Sequence, residues 1–581
     1  MQSKTPKFDA LLQPILDGLV SHTRKCEWAG KHEYCEGEFE IVDEDIEFLR
    51  MLRVPPPRFC PTCRRMRRMV HINLLQMFKR SCNAPGHDEK IISIFPENAP
   101  FPVYDYKYYT SDEYDPFLIG RDYQRGESPI NQLFELRKIA PIPSFLNRDP
   151  SSVNSEYSNG GRGNKDCYMT SGCYSTEDAY YSGMILKSSH IVDSRALEDS
   201  EYVYEALNSD HLYQSAFVYF SKNITDSYFM YDCKNCDNCF GGVNLRNRKY
   251  VVFNEQKTKE EYEEFIKNVF PLTQEKIKEY KSILEGLVES LPVNATKNIA
   301  SQNVGGVKIL NSKDIFDVWE SHNSENVRHS DGVLSHKDSM DVFFSGGHSH
   351  NLYDVANVGS QSSDCKFSVS TKYATLCEFV FNSKNVTNCF MCFGLQNKSF
   401  CILNKQYSED DYFDIVDEMK SEMLKRGEYG DFLDLEFSPQ AYNFSLSGIS
   451  FPLSNETAKE LGAYIGIESE SNAANVSIID PKSLPLNILE IGEDVFKGAF
   501  MCAKTNKPFR IVPGELAIYR RLKIPLPDIH PLQRIENLYK LSPVGLKYKA
   551  KCDSCGIAIE TIYKDKKYHL YCEKCFSREV N

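Results

Sequence analysis

The sequence predicts a mainly β protein with helical segments, in which two duplicated β-solenoid-like repeat blocks are flanked by two small related modules. Three observations carry this. First, residues 32–86 and 502–556 match at a constant offset of 470 positions, pairing Phe39 with Phe509, Arg50 with Arg520, Pro57 with Pro527, Arg64 with Arg534 and Cys82 with Cys552. Second, the stretch from Asn238 matches the stretch from Asn388 at an offset of 150, with Cys239/Cys389, Asn254/Asn404 and Tyr262/Tyr412 identical. Third, a polar residue followed by a small one and by alternating aromatic or β-branched positions recurs near Asp166, Asp178, Asp199, Asp210 and Asp226. It recurs again near Asp314, Asn326, Asp338, His350 and Asp364, in steps that are mostly 10–13 residues or multiples of that. Short strands joined by polar corners at such intervals stack as a solenoid, each unit burying its inward side chains on its neighbours. An antiparallel sandwich, with strands every ~8–12 residues, is the competing fold.

A chain of 581 residues is too long for one core. We divide it into an N-terminal module (1–95), a Tyr/Pro-rich connector (96–150), β-repeat block 1 (151–256), a helical segment (257–295), β-repeat block 2 (296–405), a helix and linker (406–500) and a C-terminal module (501–581). Tyr (34) and Phe (35) far outnumber Trp (2), which suits strands better than a helical bundle. The first residues lack the features of a signal peptide, and no run of about 18 apolar residues exists, so a cytoplasmic protein with no membrane span is expected. Twenty cysteines in that setting are metal ligands or small buried residues rather than disulfides.

Taken in order, the N-terminal module carries Cys60-x2-Cys63 and, upstream, His32-x2-Cys35. Their spacing suits a metal, with His32, Cys35, Cys60 and Cys63 as ligands and Cys26 as the alternative to His32. From Phe48 to Arg80 there is no acidic residue, while Arg64, Arg65, Arg67 and Arg68 follow the second cysteine pair. The connector VYDYKYYTSDEYDPF reads as an extended belt whose tyrosines pack on another surface, or offer stacking faces to bases. Each block ends in a helical pattern, Lys257–Leu291 and Ser408–Lys425, placed to cover the last unpaired strands. Cys233, Cys236, Cys239, Cys389 and Cys392 fall at the block ends and read as inward-facing thiols, with a metal as the sharper alternative. Five histidines crowd into block 2. His336 and His348 are twelve apart, as are Asp338 and His350, so a twelve-residue coil would align His336, Asp338, His348 and His350 as a surface cluster. The C-terminal module ends in Cys552-x2-Cys555 and Cys572-x2-Cys575 with sixteen residues between, the spacing of a closed four-thiolate zinc site.

The N-terminal stretch resembles the treble-clef zinc-ribbon (zinc-binding domain) family. The residues that carry the resemblance are His32–Cys35, Phe39, the acidic-aromatic run Glu44–Phe48, Pro55–Pro57 and Cys60–Arg64, with His32 departing from the family's cysteine. The layout as a whole is similar to uncharacterised zinc-ribbon-flanked repeat proteins of candidate-phyla bacteria. The resemblance covers only the terminal modules and implies zinc binding with nucleic-acid or protein contact.

No HExxH, GxSxG or kinase-like set is present. The sequence therefore favours a non-enzymatic binding protein holding about two structural Zn2+ ions. Arg64, Arg65, Arg67 and Arg68 are expected to meet the phosphates of RNA or a ribonucleoprotein. A β-solenoid enzyme acting on carbohydrate through the histidine cluster, and a scaffold for a protein partner, are the alternatives.

Overall fold

A computed structural model describes residues 3–146, 149–467, 477–564 and 567–580. Strands outnumber helices, and the longest sheets are parallel. In block 1 parallel partners lie twelve positions apart, except Tyr157 and Tyr168 at eleven. Gly183 pairs with Arg195, Ser189 with Glu201, Asp210 with Lys222 and Lys234 with Arg246. The sheet ends where the strand Arg246–Val252 turns back on Glu255–Gln256, antiparallel from Val251↔Gln256. Block 2 ends the same way, at Cys401↔Gln406.

A finer period underlies these registers, which the 10–13-residue steps did not reveal. From Asp166 to Phe253 every third residue is left-handed, glycines included, for example Asn223 (φ 54°), Asp226 (44°), Phe229 (58°), Asp232 (51°) and Asn235 (54°). Among the described residues, none of the left-handed ones is Val, Ile or Thr. A branched Cβ is the least tolerated side chain in that conformation, and Asn and Asp the best tolerated outside glycine.

From Cys167 to Val251 the residue after each left-handed position points inward, Arg248 excepted. Ile185, Ile191, Leu197, Val203, Leu212, Val218 and Ile224 form one buried cluster, with Ser182, Ser188, Ser194, Ser200, Ser209, Ser215 and Ser221 buried between them. The serines are satisfied by one repeated device. The Ser209 hydroxyl donates to the Leu207 carbonyl at 3.0 Å and accepts the Ser221 N–H, twelve residues on, at 3.0 Å. Ser182, Ser188, Ser194 and Ser200 make the same two bonds. Small polar side chains thus fill a narrow interior without leaving an unmet donor.

Helices pack on the outside. The predicted helical segment after block 1 is two helices, Lys259–Val269 and Gln274–Ser290, interrupted at Phe270-Pro271. Tyr280 of the second lies edge-on to Phe229 and Phe240. After block 2, Glu409–Arg426 is capped by Ser408, and its Asp417 accepts the Lys7 and Phe8 N–H groups that open the helix Pro6–Asp17. The tyrosine belt packs, as the first of its two readings expected. Tyr109 and Tyr114 stack with centroids 4.9 Å apart, and Tyr109 is 2% exposed.

The two modules share a plan. A short hairpin (His22–Lys25 with Glu38–Ile41, or Phe500–Met501 with Pro508–Phe509) precedes two helices, Asp43–Leu52 and Pro61–Met69, or Pro513–Leu522 and Pro531–Leu541. Asp45 and Glu515, at equivalent positions, accept the N–H of Val42 and Val512. Arg53 and Lys523 end the first helix left-handed. The helix Pro61–Met69 lies on block 2, and Pro513–Leu522 lies on block 1.

Candidate metal centres and the buried arginine seam

Among the described residues, three groups of side chains are close enough to hold a metal ion, and two of them are four-cysteine sets at the ends of the chain. In the first, Cys26 leaves the strand His22–Lys25 and Cys35 precedes Glu38–Ile41, while Cys60 caps the helix Pro61–Met69 and Cys63 sits in its first turn. Their sulfurs lie within 4.8 Å of one another. Backbone N–H groups of Trp28 (3.4 Å) and Cys60 (3.3 Å) point at the Cys26 sulfur, and that of Gly37 at Cys35 (3.4 Å). Hydrogen bonds from Cys60 and then Cys63 pull the Cys26 thiol far below its ordinary value. Four crowded sulfurs with N–H donors on them suit a closed tetrahedral zinc site. The structure collects Cys26 rather than His32. The His32 Nε2 lies 3.3 Å from the Cys63 sulfur, outside the four-sulfur group, and its pKa is lowered chiefly by burial.

The second set is Cys552, Cys555, Cys572 and Cys575. The Cys555 and Cys572 sulfurs are 3.8 Å apart, and the Cys572 N–H donates to the Cys552 sulfur at 3.3 Å. Burial opposes ionisation of Cys552, yet backbone N–H groups of Cys572 and Cys555 bring it down to about 6. Both sets can hold Zn2+, which would supply structural cross-linking and no open position. Cys502 and His530, equivalent to His32 and Cys60, are not in any such group.

The four arginines expected on a nucleic-acid surface are not on a surface. Arg64, Arg65, Arg67 and Arg68 are 0–3% exposed. Arg64 meets Asp341 at 2.5 Å, and Arg68 meets both Asp341 (2.9 Å) and Asp354 (2.8 Å). Arg65 meets Asp331 at 2.6 Å and Asp317 at 3.7 Å. Arg67 donates to the Phe432 carbonyl and reaches Asp434 at 3.2 Å, lying over the Phe59 ring. Guanidinium groups buried against carboxylates in this way are out of reach of a phosphate in solution. Asp317, Asp341 and Asp354 are left-handed residues of block 2, so the backbone that favours Asp there also aims carboxylates at the module. His329 completes the seam between Asp317 (2.7 Å) and Asp45 (3.2 Å). Burial opposes its charge, but Asp45 and then Asp317 hold its pKa above the ordinary value. The C-terminal module repeats the pattern on block 1, with Arg534 paired to Asp193.

The histidine cluster is also dispersed. Arg328 pairs with Met340 at an offset of twelve, but Met340 pairs with Tyr353 at thirteen, and the Lys337 carbonyl accepts the Asn351 N–H. One extra residue in that coil breaks the twelve-residue alignment of His336 with His348 and of Asp338 with His350. His336 is 2% exposed with both ring nitrogens unpartnered, and burial lowers its pKa to about 4. His348 and His350 are exposed, and Asp338 accepts from Asn326 at 2.7 Å. The block cysteines face inward. Cys377, Cys389 and Cys401 pair in adjacent strands and share a buried cluster with Cys365 and Cys392, while Cys233, Cys236 and Cys239 line the block 1 interior.

A cavity of about 860 Å³ opens between block 1, the helix Gln274–Ser290 and the C-terminal module, lined in part by Tyr204, Phe217, Tyr219, Tyr539, Glu205 and Lys281. Nothing in the sequence pointed to it, because its walls come from segments far apart in the chain, Tyr34 and Ile449 among them. No helix among the described residues is long and apolar enough to cross a membrane. No protein-family model matches the chain, and no curated protein matches it.

Proposed function

We propose that this is a non-enzymatic, zinc-stapled binding scaffold. Each block is a β-solenoid, with coils of twelve residues in block 1 and of eleven to thirteen in block 2, and each terminal module is a clasp that holds a block by its left-handed aspartates. The observation that supports this reading best is the direction of the basic helix Pro61–Met69. Its arginines are spent inside the molecule on Asp317, Asp331, Asp341 and Asp354. Zinc at Cys26, Cys35, Cys60 and Cys63 fixes the start of that helix, so the metal sets where the arginines fall. The aromatic-lined cavity is the concave surface such a scaffold offers to a ligand or protein partner. The test is to remove zinc with a chelator and follow amide exchange. The reading requires block 2 strands near Asp331–His350 to lose protection together with the N-terminal module. Unchanged protection there would refute it.

RNA or ribonucleoprotein binding stands as a second reading, moved to other residues. Lys549, Lys551, Lys574 and Arg578 are exposed around the C-terminal cysteine set. If they carry it, charge reversal at those four positions abolishes salt-dependent RNA binding. Purified protein free of nucleic acid, and inert to RNA at low salt, would dismiss this second reading.

A further inference from the structure

The hairpin that holds the C-terminal cysteine set has a counterpart in the N-terminal module. Tyr548–Lys551 pairs with Ala558–Thr561, from Tyr548↔Thr561 to Lys551↔Ala558. Phe78–Ser81 pairs with Lys90–Ser93 in the same sense, from Phe78↔Ser93 to Ser81↔Lys90. The cysteine leaving the first strand is held alike in both. Cys552 N–H donates to Ile557 and Asp553 N–H to Leu570, while Cys82 N–H donates to Glu89 and Asn83 N–H to Val103. The Cys572 N–H donates to the Cys552 sulfur at 3.3 Å, and the Asp105 N–H donates to the Cys82 sulfur at 3.3 Å. Asp105 therefore stands where Cys572 does, and Pro85 stands where Cys555 does.

The connecting loop differs. Eight residues, 82–89, separate the paired strands where the C-terminal hairpin has six, 552–557. The longer loop carries His87 and Glu89, and it brings them to Cys82, with the three donor atoms within 4.8 Å of one another. The His87 Nδ1 is 3.0 Å from Glu89, and its ring rests on Tyr108 with centroids 4.5 Å apart. Cys82 is 5% exposed, whereas the side chains of His87 and Glu89 are 29% and 49% exposed. A second backbone N–H, from Ala84 at 3.4 Å, also points at the Cys82 sulfur, as Trp28 does at Cys26.

We propose that Cys82, His87 and Glu89 form a third metal site, of mixed sulfur, nitrogen and oxygen donors, for a zinc-class divalent cation. A thiolate and an imidazole select such ions over magnesium and calcium. Three protein donors with two of them at the surface leave a coordination position to solvent, unlike the closed four-sulfur sets. The site exchanges its ion more readily than they do.

The experiment titrates the full chain, stripped of metal and reduced, with Co2+ and then Zn2+, and counts bound ions by elemental analysis. Wild type should take three equivalents, the third with a cobalt absorption distinct from the four-sulfur sites. His87→Ala with Glu89→Gln should saturate at two, with an unchanged circular dichroism spectrum. Cys26→Ser should lose one of the other two and keep the third, which separates this site from the terminal staples. Wild type saturating at two equivalents, or three equivalents undiminished in the His87/Glu89 variant, overturns the proposal and leaves His87 and Glu89 as a surface ion pair.

Discussion

Replacing Arg68 with alanine should loosen block 2 far more than it changes any surface property. Arg68 is wholly buried and bridges Asp341 at 2.9 Å and Asp354 at 2.8 Å, while also donating to the His329 carbonyl at 3.2 Å. Without it, Asp354 keeps only the Phe432 N–H at 2.8 Å, and Asp341 keeps Arg64. Stranding a buried carboxylate in this way costs about 3–5 kcal/mol. At about 1.4 kcal/mol per factor of ten, amide exchange in the strands Asp331–His350 and Tyr353–Ala356 should accelerate by between about 10² and 10⁴. The assay is hydrogen exchange read by mass spectrometry, with zinc content measured on the same sample. Arg68→Met with Asp354→Asn should recover most of the loss, because no unpaired charge then remains and Asn tolerates the left-handed backbone. Less than a tenfold change in Arg68→Ala, with zinc retained, would refute the idea that the arginine seam clasps the block. So would a simple loss of RNA binding without loss of protection.

Three further outcomes follow from the same geometry. Cys26→Ser should lower bound zinc by one equivalent, whereas His32→Ala should leave the count unchanged; the reverse result would restore His32 as the fourth ligand. His336 has a folded pKa of about 4 against an ordinary 6.5, so the unfolded chain takes up its proton first as pH falls. Stability from this group is complete above about 6.5 and declines toward pH 4 by up to about 3 kcal/mol. His336→Leu should flatten that acid limb in urea titrations, and an unchanged limb would assign it elsewhere. Ser209→Ala removes the acceptor of the Ser221 N–H inside block 1 and should destabilise it by about 1–3 kcal/mol in urea unfolding, where no effect would deny the serine column a structural part.

Some of this was legible in the residues alone, and the physical reasons differ by element. Cysteine pairs at Cys60/Cys63, Cys552/Cys555 and Cys572/Cys575 are local signals, because a knuckle needs only a few residues to set two sulfurs side by side. The helices after each block were also readable, since their apolar spacing and caps at Thr258 and Ser408 are written within one segment. The strand steps near twelve were visible, but the three-residue rhythm beneath them was not read. It is present as serine and apolar residues at every third position, from Ser182 to Ile224, alternating except at Val203 and Ala206, with no β-branched residue at the position before.

What the chain determines by itself is therefore whatever depends on neighbours a few positions away: ligand spacing, helix caps and the tolerance of Asn and Asp for a left-handed backbone. Tertiary structure alone decided the rest. A basic run such as Arg64–Arg68 carries the same charge whether it meets phosphate or protein, and its fate turns on Asp331, Asp341 and Asp354, more than 260 residues away. A single added residue between Lys337 and His350 moved His348 and His350 out of line with their expected partners, because register in stacked strands is cumulative and one insertion shifts everything after it.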